Sequence, residues 1–327
     1  MCFCGKIYKQ MNLKKIILIY IIFTIYYPIF GQIGGSATYD FLNLTNSARV
    51  AALGGENISL QDSDLNFVYH NPALLNSAMS ENLIINYVNY FADINYGYVA
   101  YAYNFEKAGT FAAGLHYLNY GKFTKADETG VITGEFKAYE LALNIFHSRK
   151  VFDSLFVLGL NLKPIYSKLE NYTSFGLALD LGLSYTNTDK LFSAGIVLKN
   201  IGHQIKPYVE KNYEPLPFDI QIGISQKLAH APFRFSFLLH HLHKWDLTYN
   251  LNANQAFSTA PNTIIEQKTN FFDKSLRHAI FGVEFIPSKN FIVMLGYNHQ
   301  KRKEMLLETK PFLVGFSWGL QIKIKKF

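Results

Sequence analysis

From Leu83 onward, apolar residues recur at every second position. That is the period of a strand whose two faces meet different surroundings. Between residues 174 and 186, Phe175, Leu177, Leu179, Leu181, Leu183 and Tyr185 share one face; Gly176, Ala178, Asp180, Gly182, Ser184 and Thr186 share the other. Residues 217–226 repeat the scheme, with Phe218, Ile220, Ile222 and Ile224 set against Asp219, Gln221, Gly223 and Ser225. Residues 311–324 carry it furthest, from Phe312 to Ile324 on one face and from Leu313 to Lys323 on the other. The period predicts twelve strands, near 83–90, 95–104, 110–119, 134–147, 154–166, 174–186, 190–200, 216–227, 232–242, 276–286, 291–299 and 311–324. Most span about 9–14 residues, enough to cross an outer membrane when tilted.

No helix-length apolar period separates these segments, so the sheet is expected to be antiparallel. After the second strand the connections alternate. Phe105–Gly109, Ser148–Asp153, Asn187–Asp189, Leu228–Ala231 and Pro287–Asn290 are short. Tyr120–Thr133, Ser167–Thr173, Ile201–Pro215, His243–Ser275 and Gln300–Lys310 are long. Short turns at one end and long loops at the other mark an outer-membrane β-barrel; a soluble sandwich mixes its loop lengths. Tyr90, Tyr96, Tyr185, Trp245 and Phe291 fall at strand ends, where aromatic interface girdles lie. The fold class is therefore all-β, an antiparallel transmembrane barrel with twelve readable strands.

Residues 32–81 lack the period and are rich in Gly, Ala, Asn and Asp. Ser47–Leu53 reads as a helical turn ended by Gly54 and Gly55. Asn71-Pro72-Ala73 reads as the start of another, with Asn71 as cap and Pro72 at the first helical position. The inward faces of the strands are rich in Gly, Ser and Ala, which suits a lumen partly filled by this segment.

Ile16–Phe30 is uncharged, follows Lys14-Lys15 and ends at Gly31. It is too short for a spanning helix and has the form of a cleaved secretory signal peptide over 1–31, with Met11 as an alternative start. The chain has 327 residues and a net charge of +7. Four lysines and no acid lie in 1–31, so 27 basic residues then face 24 acids, a net +3. Scattered charge of that size gives no nucleic-acid footprint. Both cysteines, Cys2 and Cys4, precede the apolar run, which excludes a disulfide scaffold and a lipidated cysteine. With 49% hydrophobic and 17% charged residues, disorder is excluded as well.

Candidate chemistry is sparse. Gly315-Phe316-Ser317-Trp318-Gly319 matches a nucleophile-elbow expression, but the strand runs straight through it, where the motif needs a strand-to-helix turn. His241 and His243 share a strand face and suit a metal, yet the spacing offers no third ligand. Asp62-x-Asp64-x-Asn66 opens like a calcium loop, but Phe67 stands where the loop needs Gly. No enzyme, metal or cofactor is expected from the residues.

Six segments look familiar together: Tyr39–Leu44, Ala48–Gly55, Asn71–Asn76, Asn89–Gly97, Lys227–Arg234 and Trp245–Tyr249. The pairing of Arg49, Gly54 and Gly55 with Asn71, Pro72 and Ala73 resembles the start of FadL-like barrels, outer-membrane transporters of hydrophobic compounds. The whole set, over about residues 32–322, resembles the PorQ family of the Bacteroidetes type IX secretion system. The resemblance implies fourteen strands, and therefore a last hairpin missing from 82–327. It implies a non-enzymatic role in the cell-surface attachment complex with PorU, a sortase, PorV, a cargo-carrying barrel, and PorZ, a lipopolysaccharide-binding protein that it would hold at the surface. Outer-membrane lipid and lipopolysaccharide are the implied surroundings, with no nucleic acid. The alternative is FadL-like transport of hydrophobic compounds, which expects an apolar pocket beneath the long loops.

Overall fold

The computed structural model describes residues 37–151, 155–248, 270–305 and 313–324. Residues 1–31, expected to be a signal peptide, most of the loop 243–275 and Phe327 lie outside the described residues.

Twelve strands form one antiparallel sheet in which each pairs with its neighbours in sequence. They are β1 (Leu83–Asn89), β2 (Asn95–Phe105), β3 (Gly109–Ala126), β4 (Ile132–Val151), β5 (Phe156–Leu169), β6 (Tyr172–Thr186), β7 (Phe192–Lys206), β8 (Asp219–Lys227), β9 (Phe233–Leu239), β10 (Ala279–Ser288), β11 (Phe291–Asn298) and β12 (Phe316–Ile322). The period-two pattern predicts these because alternate side chains face opposite sides of a pleated sheet. Among the described residues β1 pairs only with β2 and β12 only with β11. Among the described residues no helix is long and apolar enough to cross a membrane.

One face of the sheet is apolar and open. Leu158, Leu160, Leu181, Ile222, Ile224, Trp318 and Leu320 are all exposed on it. The opposite face is buried under residues 37–82. This segment holds one α-helix, α1 (Ala48–Ala52), and four 3-10 turns at Asp40–Asn43, Leu65–Tyr69, Pro72–Leu74 and Ser77–Met79. A segment this short touches strands from β2 to β12, so the sheet must curl around it. Leu42, Val50, Ile58, Phe67 and Leu74 are fully enclosed between it and the wall.

The wall glycines show how closely the two approach. A methyl group at Gly159 would lie 2.1 Å from the Ala73 nitrogen, and one at Gly182 2.2 Å from Asn71 Oδ1. At Gly296 it would meet the Gly54 nitrogen at 2.2 Å. Backbone lies directly on backbone at Gly159 and Gly296, and no side chain fits there.

The expected alternation of loop lengths needs correction. Tyr120–Thr133 is mostly ladder, because β3 and β4 continue past the rest of the sheet to a turn at 127–131. Stacked Phe123 and Phe136 (5.0 Å) and the Lys122–Glu135 pair (3.1 Å) face each other across this extension, and Asp127 closes its turn. The loop expected at Ser167–Thr173 is only residues 170–171. The polar residues that masked the period there are solvated strand, whose ladder pairs without an apolar face. Elsewhere the long connections contain two short helices, α2 (Phe271–Arg277) and α3 (His299–Glu304).

Candidate functional site

Arg49 sits on α1 with its side chain almost wholly buried. Its guanidinium meets Asp62 at 2.7 Å, Asp64 at 2.9 Å and Glu284 of β10 at 2.9 Å. Arg234 of β9 also pairs with Glu284, and Phe67 lies beneath the Arg49 guanidinium at 4.8 Å. The two acids that open like a calcium loop therefore serve a cation: both bind Arg49, and Asp64 also accepts the Asn66 N–H at 3.1 Å. The segment is thus tied to the wall by charge at one point and by backbone contact at others.

Gly54 and Gly55 end α1 with φ of 102° and 105°, a region that favours glycine. Asn298 donates to the Gly54 carbonyl at 3.2 Å. Asn71 accepts the Ala73 N–H at 2.9 Å and donates to the Ile58 carbonyl at 2.7 Å, with Pro72 at the first position of its turn. Buried Lys163 pairs with Asp180 at 2.7 Å and donates to Asn200 at 2.7 Å; Lys199 reaches Glu56 at 3.4 Å. These pairs join the strands to one another and to the segment.

Of the five aromatic residues expected at an interface, four lie at strand ends or beyond. Tyr90 is exposed and packs on Phe91, Tyr185 rests half-buried on Phe156, and Phe291 opens β11. Trp245 is exposed between Phe271 and His278. Tyr96 is a correction. Its parity is that of Tyr98 and Ala100, so it points inward, is 7% exposed and donates to the Thr45 carbonyl at 3.0 Å. Ser317 also belongs to the packing, donating to the Ala52 carbonyl at 3.0 Å.

The end of the sheet that carries the longer connections is ordered by charge. Asp273 of α2 pairs with Arg277 at 3.0 Å, His299 at 3.2 Å and Lys303 at 2.9 Å, joining α2 to α3. Burial alone would raise its pKa, but hydrogen bonds from Lys303, His299 and Arg277 outweigh it and hold the carboxyl well below the usual range. Asp246 pairs with Lys274 at 2.6 Å. Burial opposes that pairing too, yet hydrogen bonds from Lys274 and Thr248 lower its pKa to about 2. At the same end an open cleft of about 420 Å³ is lined by Tyr39, Asp40, Tyr120, Glu140, Tyr208 and Glu214, among others. Tyr120 donates to Glu140 at 2.6 Å. Ala37, Leu169 and Val209 share the lining with these tyrosines and acids, so the cleft mixes apolar and polar surface.

Asp219, at the start of β8, escaped the sequence reading. It faces the histidines that follow β9, 22 residues later in the chain. No protein-family model matches the chain, and no curated protein matches it.

Proposed function

We propose that the chain is a plugged outer-membrane β-barrel that acts without catalysis as a surface anchor of the type IX secretion system, holding PorZ near PorU and PorV. The observation that carries this reading is the way residues 37–82 fill the concave face. A channel needs a segment that can yield. Here the wall lies directly on the segment's backbone at Gly159 and Gly296, and the buried Arg49–Glu284 pair holds it to β10.

The apolar convex face supports membrane insertion, since lipid-facing strands alternate apolar-out. With the lumen filled, the long-loop rim is the surface left for partners, and its charge-paired helices α2 and α3 give it fixed shape. The six sequence segments that resemble PorQ-like proteins supply the secretion system. A transporter of hydrophobic compounds is the weaker reading, because ligand sites for such compounds are lined mainly by apolar side chains with few polar groups, and the rim cleft carries three carboxylates, Asp40, Glu140 and Glu214.

Deleting the gene in its host and fractionating proteins that carry type IX sorting domains tests the proposal. Cargo that accumulates in the periplasm, or leaves the cell unattached to lipopolysaccharide, is the expected outcome. Cargo reaching the surface normally, together with impaired uptake of long-chain lipids, would replace the anchor by the transporter.

A further inference from the structure

We propose that the rim carries a divalent transition-metal site built from Asp219, His241 and His243. His241 and His243 lie in the turn after β9, where His241 takes a left-handed φ of 54° that brings both rings back over the start of β8. The Nδ1 atoms of the two rings face the Asp219 carboxylate, His241 at 3.3 Å from Oδ2 and His243 at 3.6 Å from Oδ1. All three residues offer donor atoms within 4.8 Å of one another.

These separations are the informative quantity. Two ligands bound at about 2.0–2.1 Å to a tetrahedral ion stand about 3.3–3.4 Å apart. The His241 Nδ1 atom is buried and makes no aligned hydrogen bond, although the carboxylate is 3.3 Å away. The two imidazole–carboxylate separations are close to that spacing.

The surroundings of Asp219 resemble an outer shell. The His241 backbone N–H donates to its Oδ1 at 2.6 Å, and Gln221 donates to its Oδ2 at 2.7 Å and to Glu56 at 2.7 Å. Such contacts orient a ligating carboxylate. Phe218 packs against the His243 ring at 5.4 Å. A third histidine lies beside the same carboxylate. His240 is 4% exposed, its Nε2 has no hydrogen-bond partner, and it forms a second close group with Glu56 and Asp219.

Two imidazoles and one carboxylate are the donor set of zinc and its neighbours in the first transition row, whereas calcium and magnesium take oxygen ligands. His241 and His243 are about a quarter and a third exposed, so a fourth position opens to the rim.

The test uses untagged full-chain protein in detergent, stripped with a chelator and titrated with Zn²⁺ by calorimetry and with Co²⁺ by visible absorption. One Zn²⁺ per chain and a tetrahedral Co²⁺ spectrum are expected. His243→Gln removes a ligand, and Gln221→Ala leaves the ligands but frees the carboxylate. The latter should weaken binding about 10- to 100-fold, and the former at least as much. His230→Gln, in the exposed β8–β9 turn, should bind as the parent does. Absence of stoichiometric binding, a loss with His230→Gln equal to that with His243→Gln, or full affinity in His243→Gln would each overturn the site.

Discussion

Replacing Arg49 by alanine isolates the charge that holds the N-terminal segment to the wall. Arg49 and Arg234 together face Asp62, Asp64 and Glu284, so the cluster carries one net negative charge. Without Arg49 the excess becomes two, with Glu284 only 1% exposed and Arg234 as its remaining partner. Removing one partner of a buried pair costs about 3–5 kcal/mol, because the other charge stays buried and uncompensated. Asp62 and Asp64 are 26% and 15% exposed, and water will relieve part of that cost. The lower end, about 3 kcal/mol, is therefore expected, or roughly a hundredfold in the folded-to-unfolded ratio. Urea unfolding in detergent micelles, read through Trp245 and Trp318, measures the loss. Limited proteolysis supplies the specific readout: cleavage within 37–82 should accelerate before the strands are cut. A loss below about 1 kcal/mol with unchanged cleavage in 37–82 would refute the anchoring argument.

Three further predictions follow from other parts of the fold. Gly159→Val places its Cβ on the backbone of Ala73; overpacking costs about 1–3 kcal/mol, and the upper end is expected because backbone cannot rotate away, as the same urea titration would show. Ile222→Lys on the convex face should cost about 2–4 kcal/mol in bilayers if it lies near the midplane; equal stability of parent and variant in lipid vesicles would argue against a lipid-facing position. The depressed carboxyls of Asp246 and Asp273 stabilise the rim above their unfolded pKa of about 3.9, and that stability is lost as pH falls through the folded values. Hydrogen exchange in α2 and α3 should therefore rise between about pH 4 and pH 2, and Asp273→Asn should raise it at neutral pH.

The strands were legible because each has two unlike faces and the period survives even where the residues are small. Gly176, Gly182 and Gly195 on the inward parity already signalled that something lies close to the wall. Tyr96 was misread because a tyrosine near a strand end carries no mark of which face it occupies; parity decides, and Tyr98 and Ala100 share its own. Phe271 and Phe272 open α2 inside the connection expected as the loop His243–Ser275, since a short polar helix within a long connection leaves no apolar period. The ion pairs were not legible at all. Arg49 and Glu284 are 235 residues apart, and Asp219 meets His241 only through the pairing of β8 with β9. No local pattern encodes a contact made by packing a sheet onto the segment that precedes it.

That packing sets an order on assembly. Ser317 of β12 bonds to Ala52 across 265 residues, and Asn298 bonds to Gly54 across 244. β11 and β12 dock on α1, so their binding surface is synthesised well before they are. Contacts so distant in sequence make folding slow. α1 in the meantime offers an unmet apolar face, and the chain depends on being kept from other partners until β11 and β12 arrive. Substitutions in α1 should therefore slow formation of β11 and β12 more than that of β3 to β6, whose neighbours are already beside them in the chain.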